Sequence, residues 1–183
     1  TYDVTLSVTN ADGQTESITK HDYITVAEAY NMQDGTITTC NAMFYDDGGN
    51  NGNYHDNLNY TMTFLPGSDN AKVQVVFINF NTESGYDKLY IYDGTSTSAP
   101  SLGMFSGSNS PGTVTATNAE GALTFNFTSD YSMNYSGWEA SVRCVFDNPL
   151  EITVSANPEE IEEGGSSQLS AVATGGSGNY TYL

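Results

Sequence analysis

An all-β chain organised around a β-sandwich is what this sequence predicts, and three observations carry the prediction. Apolar and polar residues alternate with period two along most of the chain, and no long segment keeps a helical period. Seven or more alternating runs are short and separated by Gly-, Asn- and Ser-rich turns, which is the spacing of a sandwich. The composition is polar but foldable, with 38% hydrophobic and only 14% charged residues and abundant Thr, Ser, Asn, Gly and Tyr.

Taken in order, Val4, Leu6 and Val8 mark a first strand. The turn Asn10-Ala11-Asp12-Gly13 joins it to a second over residues 18–26, since Asp-Gly is a hairpin signal. Further strands are expected over 36–40, 58–65, 73–80, 89–92, 113–117, 122–128 and 139–146, with turns at 46–53, 66–68 and 106–112. Within 89–92, Leu89 and Ile91 should face one side and Tyr90 and Tyr92 the other. A last pair is expected over 152–158 and 169–173, and residues 180–183 read as the start of another strand. Because the chain begins at Thr1 and stops inside that strand pattern, it is expected to be a window of a longer protein.

Charge narrows the function classes. Four Lys and Arg against 22 Asp and Glu give a formal charge of −18, a field that repels phosphate backbones and anionic membrane surfaces. No run approaches the roughly 18 apolar residues of a membrane helix, and no basic segment with a following apolar run marks a signal peptide. An enzyme is not expected: His21 and His55 are the only histidines, and HExxH, Gly-x-Ser-x-Gly and phosphate-cradling loops are all missing. Carboxylate pairs can hydrolyse glycosides, but nothing separates such a pair from the many acidic turns.

Cys40 and Cys144 are the only cysteines and lie at the two ends of the central strand set. An even count, no metal-binding CxxC spacing and an exported character favour a disulfide; two reduced buried thiols are the alternative.

The richest stretch is Glu83-Ser84-Gly85-Tyr86-Asp87 with the strand Lys88-Leu89-Tyr90-Ile91-Tyr92 and the turn Asp93-Gly94 after it. A second acidic turn, Ser129-Asp130-Tyr131-Ser132, follows later. Three carboxylates from two loops suit a hard divalent cation, because calcium takes six to eight oxygens and draws affinity from ionised side chains. Without a cation they would repel, and one would tend to take up a proton. The competing reading is three solvated turn acids. Asp46-Asp47-Gly48-Gly49-Asn50-Asn51-Gly52-Asn53 has Asn57 where an EF-hand would place its bidentate Glu, so it is expected to be a polar loop entering the sandwich. Four segments, beginning at Asn59, Asn126, Asn134 and Asn179, match the N-glycosylation pattern, as an Asn- and Thr-rich chain does by chance.

Glu83, Tyr86-Asp87, the strand ending in Tyr92-Asp93-Gly94, Ser129-Asp130 and Gly137-Trp138 together resemble the CUB domain family. The resemblance implies a jelly-roll-like CUB β-sandwich over residues 34–147, with Ca2+ held by Glu83, Asp87 and Asp130 and by a backbone carbonyl near Ser132. It also implies a protein or polysaccharide partner at the calcium-loop end, with Tyr86 and Tyr131 as contact residues. The family's usual pattern has two bridges at other positions, and this departure suggests a divergent, bacterial branch. Residues 1–28 resemble the closing strands of a PKD or similar immunoglobulin-like domain, and 149–183 the opening strands of another. The expected function is a non-catalytic, calcium-stabilised module for adhesion or binding at the cell surface or outside the cell. A structural spacer, a filament subunit completed by head-to-tail strand exchange, and an accessory domain of a secreted protease or glycosidase are the alternatives.

Overall fold

The computed structural model describes residues 1–24, 26–175 and 180. In chain order its strands are β1 (Tyr2–Thr9), β2 (Thr15–Ile24), β3 (Glu28–Asn31), β4 (Gly35–Thr38), β5 (Asn41–Tyr45), β6 (Asn59–Leu65) and β7 (Ala71–Asn81). There follow β8 (Lys88–Tyr92), β9 (Ser101–Phe105), β10 (Thr113–Thr115), β11 (Leu123–Thr128), β12 (Gly137–Phe146), β13 (Glu151–Asn157) and β14 (Gln168–Thr174). A three-residue 3-10 turn at Gly49–Asn51 is the only helical element among the described residues, and no helix is long and apolar enough to cross a membrane.

Two five-stranded sheets form the sandwich, one in the order β10-β7-β12-β5-β3 and the other β4-β6-β11-β8-β9. Pairing is antiparallel except at two edges, where β3 joins β5 and β4 joins β6 in parallel. The period-two pattern decides which side chains go inward. Along β7, Val73, Val75 and Phe77 are buried while Lys72, Gln74 and Val76 are only partly covered. Likewise Leu89 and Ile91 of β8 are fully buried, with Tyr90 and Tyr92 between them half-exposed. Between the sheets lies an aromatic core, with Phe44 edge-on to Phe64 at 5.0 Å and Phe127 edge-on to Trp138 at 5.0 Å. Such pairs add about 0.5–1.5 kcal/mol each beyond the area they bury.

One irregularity shapes the site end. β7 and β12 shift register between Glu139 and Ala140, so Ile78 is an extra residue between the partners Asn79 and Phe77. Ile78 and Asn79 are therefore both exposed, and the next residue, Phe80, returns to the core opposite Trp138. This is how a bulge re-aims side chains near the end of a strand.

Three strands have no clear counterpart in the period-two pattern. β3 and β9 are edge strands, and β9 exposes Leu102 and Met104 around Gly103. In β5, Ala42 and Phe44 point inward, but Tyr45 is also buried, so the run reads as continuous apolar sequence. The strand expected over 113–117 stops at Thr115 because Thr117 turns to Asp93: its amide N–H reaches Oδ1 at 2.8 Å and its hydroxyl donates to Oδ2. Asn118 adds its side-chain amide to Asp93 at 2.6 Å. Burial opposes the Asp93 charge, but these donors outweigh it and hold the carboxyl below its usual range. Asp93, expected only as a turn residue, thus clamps the end of β8 to the β10–β11 connection.

Cys40 and Cys144 form a disulfide with their Cα atoms 4.7 Å apart. On the side away from β7, β12 pairs with β5 and not with the strand expected over 36–40; β4 lies in the opposite sheet. Since Asn41 pairs with Arg143, the next position brings Cys40 onto Cys144. The bridge therefore sits where the chain crosses between the sheets.

β1–β2 and β13–β14 are separate two-stranded sheets. One face of β1–β2 carries hydroxyl pairs, Thr5 with Thr19, Ser7 with Ser17 and Thr9 with Thr15, at 2.6–2.8 Å. Val4, Leu6, Val8 and Ile18 are exposed, as are Ile152, Val154 and Leu169 in β13–β14. The sandwich itself begins at Glu28 with β3. Thr25 of the second expected strand, residues 181–183 and the Asn179 glycosylation match lie outside the described residues.

Candidate metal centre

Pairing of β8 with β11, Lys88 against Thr128, brings the loop before β8 and the loop after β11 out at one end of the sandwich. Glu83 and Asp87 come from the first loop and Asp130 from the second, and one oxygen from each lies within 4.8 Å of the others. Asp87 is fully buried. Its Oδ2 accepts the Tyr54 hydroxyl at 2.6 Å and its Oδ1 accepts the Asp130 N–H at 2.8 Å. The same Tyr54 oxygen accepts the Glu83 N–H at 2.9 Å. Thr82 braces the loop from behind, donating to the Asp87 carbonyl at 3.0 Å and accepting the Gly107 N–H at 3.1 Å.

Electrostatically the cluster is unbalanced. Burial, followed by repulsion from Asp130 and Asp87, pushes the Glu83 carboxyl above its ordinary range. Glu83 Oε2 is buried and has no hydrogen-bond partner among the described residues, a condition that native interiors rarely leave unanswered. Burial and the Asp87 hydrogen bond push the Tyr54 phenol up, so it remains a proton donor. An all-oxygen, anionic donor set with one orphaned buried oxygen fits a hard divalent cation such as calcium. When bound, such an ion would cancel the mutual repulsion; the chain's part is to hold Asp87 with Tyr54 and to tie the two loops through the Asp130 amide.

The other expected residues lie beside this cluster. Ser132 donates its N–H to Asp130 Oδ1 at 3.0 Å, which fixes the turn that carries it. Tyr86 and Tyr131 are 64% and 77% exposed, so neither packs in the core or against a sheet face. His55 is held by Asp47, Nδ1 to Oδ2 at 2.6 Å, a contact that pushes its pKa up. Ser129 donates to the His55 carbonyl at 2.7 Å, not to its ring, so these residues do not assemble a nucleophile and base. Asn126 spends its amide on Asn59, Tyr60 and Thr61.

Two buried polar residues carry no signal in the sequence pattern. Tyr54 stands in a polar loop with no periodicity. Asp46 is fully buried, its Oδ1 accepting the Gly48 N–H at 2.9 Å and its Oδ2 the Trp138 N–H at 3.1 Å. Gly137, at φ +60°, would place a Cβ 2.1 Å from Asp46 Oδ2, so no side chain fits there. Burial outweighs both amide donors and raises the Asp46 pKa to about 6. A carboxyl raised on folding holds its proton in the folded state between about pH 4 and pH 6, so its contribution to stability falls as pH rises through that window. The stability of the wild type relative to Asp46→Asn is therefore expected to decline by up to about 3 kcal/mol from pH 4 to pH 6.5. Urea unfolding of both proteins across that range checks it, and a flat difference refutes it.

A family model described as the CUB domain matches residues 33–142, more than half of the chain. The chain is 34% identical over 100 residues to rat (Rattus norvegicus) multiple epidermal growth factor-like domains protein 8, an alignment covering 55% of this chain and 3% of that protein. Among solved structures it resembles the full extracellular region of zebrafish Gpr126/Adgrg6, with TM-score 0.54, 21% identity, and coverage of 64% of this chain and 15% of that one. It also resembles the CUB1-EGF-CUB2 domain of human MASP-1/3, with TM-score 0.52, 18% identity, and coverage of 76% and 48%. The two structural likenesses are likenesses of fold.

Proposed function

The chain belongs to the CUB domain family, and from that membership we propose that it is a non-catalytic, extracellular binding module whose partner-facing loops are stabilised by Ca2+. Glu83, Asp87 and Asp130 are the proposed side-chain ligands, with a carbonyl near Ser132 completing the protein's share. The observation that carries the reading is the buried, unpartnered Glu83 Oε2 inside a cluster of three carboxylates. Exposed Tyr86 and Tyr131 on the same two loops supply rings with polar tips for a protein or polysaccharide partner, a use suited to tyrosine. We assign binding to the sandwich of β3 to β12, and we read the hairpins β1–β2 and β13–β14 as pieces of immunoglobulin-like, PKD-type sandwiches of a modular, bacterial surface or secreted protein.

Calorimetric titration with calcium chloride at pH 7 tests the metal. One equivalent is expected to bind, and Asp130→Ala should weaken it at least about tenfold, since it removes one of three ionised ligands. No heat at millimolar calcium, or unchanged affinity in the variant, sinks the assignment.

One observation favours a second reading. The exposed apolar faces of β1–β2 and β13–β14 are the kind that seek a covering sheet. Completion by another copy, the opening hairpin of one chain against the closing hairpin of the next, would make the protein a spacer or filament subunit.

A further inference from the structure

Beside the metal centre, on the β7–β12–β5 sheet, lies a recess of about 290 Å³ that uses none of the proposed metal ligands. Its floor follows the cross-strand row Tyr45, Glu139 and Asn79. Asn81 and Ser136 line one end, and Asn50 on the 3-10 turn lines the wall. The bulge at Ile78 is what keeps Asn79 on this outer face while Phe80 turns back to the core. We propose that this recess binds a single neutral hexopyranose unit of a polysaccharide or glycan.

Chemistry selects that class. Each Asn amide offers donors and an acceptor, and the Ser136 and Tyr45 hydroxyls offer both, which matches the mixed hydroxyls of a sugar ring. Glu139 is oriented by Asn79, whose Nδ2 donates to Oε2 at 3.0 Å. No Lys, Arg or His lines the recess, and the chain carries a formal charge of −18, so phosphate, sulfate and uronate groups are disfavoured. The volume sits at the lower end of ligand pockets, room for one ring and not a chain.

The wall is built before any ligand arrives. Asp46 ties the turn to β12 through the Gly48 and Trp138 amides. A Cβ on Gly48 would meet the Asn53 carbonyl oxygen at 2.2 Å, so the loop is packed on itself. Holding polar groups in place beforehand lowers the ordering cost of binding. Asp46 is thus a positioning residue for the recess.

The test titrates the whole chain, calcium present, with methyl glucoside, methyl galactoside, methyl mannoside and glucuronate, followed by saturation-transfer NMR and by shifts of the Asn79 side-chain amide signals. Millimolar binding of at least one neutral glycoside is expected, with glucuronate weaker. Asn79→Ala and Glu139→Gln should each weaken it about tenfold, the loss of a hydrogen bond to or from an oriented charged group. Both positions are at least partly exposed, and an unchanged melting temperature shows that the variants fold. Binding of none of the neutral glycosides, glucuronate binding as well as they do, or full affinity in both variants overturns the proposal. A protein that binds calcium but no sugar overturns the recess alone and leaves the metal assignment standing.

Discussion

Cys40→Ser, Cys144→Ser, or reduction of the wild type, is expected to lower stability by about 4–5 kcal/mol, the chain-entropy value for closing a loop of about 100 residues. The bridge spans 104 positions, so the unfolded chain is constrained almost from one end of the sandwich to the other. For a domain of this size the loss corresponds to a melting temperature lower by roughly 15 °C. Urea unfolding with and without reductant measures it. The slope with denaturant should also rise, because the unfolded chain without the bridge is less compact. A change below about 1 kcal/mol would show that the register of β5 against β12 already holds the two ends and that the covalent link adds little.

Asp87→Ala should have its largest effect in calcium. At a calcium concentration of 100 times Kd, metal binding contributes about 2.7 kcal/mol of stability that the variant cannot collect. The substitution also strips the Tyr54 hydroxyl and the Asp130 amide of a buried charged acceptor, each bond being worth about 1.5–3 kcal/mol. Relief of repulsion with Glu83 and Asp130 offsets part of this. The expected loss is about 5 kcal/mol in calcium and roughly half that in chelator. Thermal unfolding of wild type and variant, each with calcium and with EGTA, separates the parts. An equal loss in both media would leave Asp87 a structural hub with no metal, whereas no loss in either would contradict the buried geometry itself.

Both predictions concern residues that spacing and residue type already single out. Glu83 and Asp87 stand four positions apart ahead of an alternating strand, and Asp130 follows in a second acidic turn, so the candidate ligands are legible along the chain. The core strands are legible for the same reason: Val73, Val75 and Phe77, or Leu89 and Ile91, state their inward face by alternation. Edge strands such as β9, with Leu102 and Met104 exposed, have no buried face to impose a pattern. Tyr54 and Asp46 are not legible at all, since their roles depend on partners 33 and 92 positions away.

The all-β character, the acidic field, the pair of cysteines and the three carboxylates are written in the amino-acid order, because each is a matter of local period, composition or covalent identity. Folding in three dimensions was needed to set β5 and not β4 against β12, to brace Glu83 and Asp87 with Tyr54 and tie their loop to that of Asp130, and to pin the wall of the recess with Asp46. Alternation tells a strand which face to bury but not which strand to lie beside, so every contact between distant segments waits on how the two sheets pack.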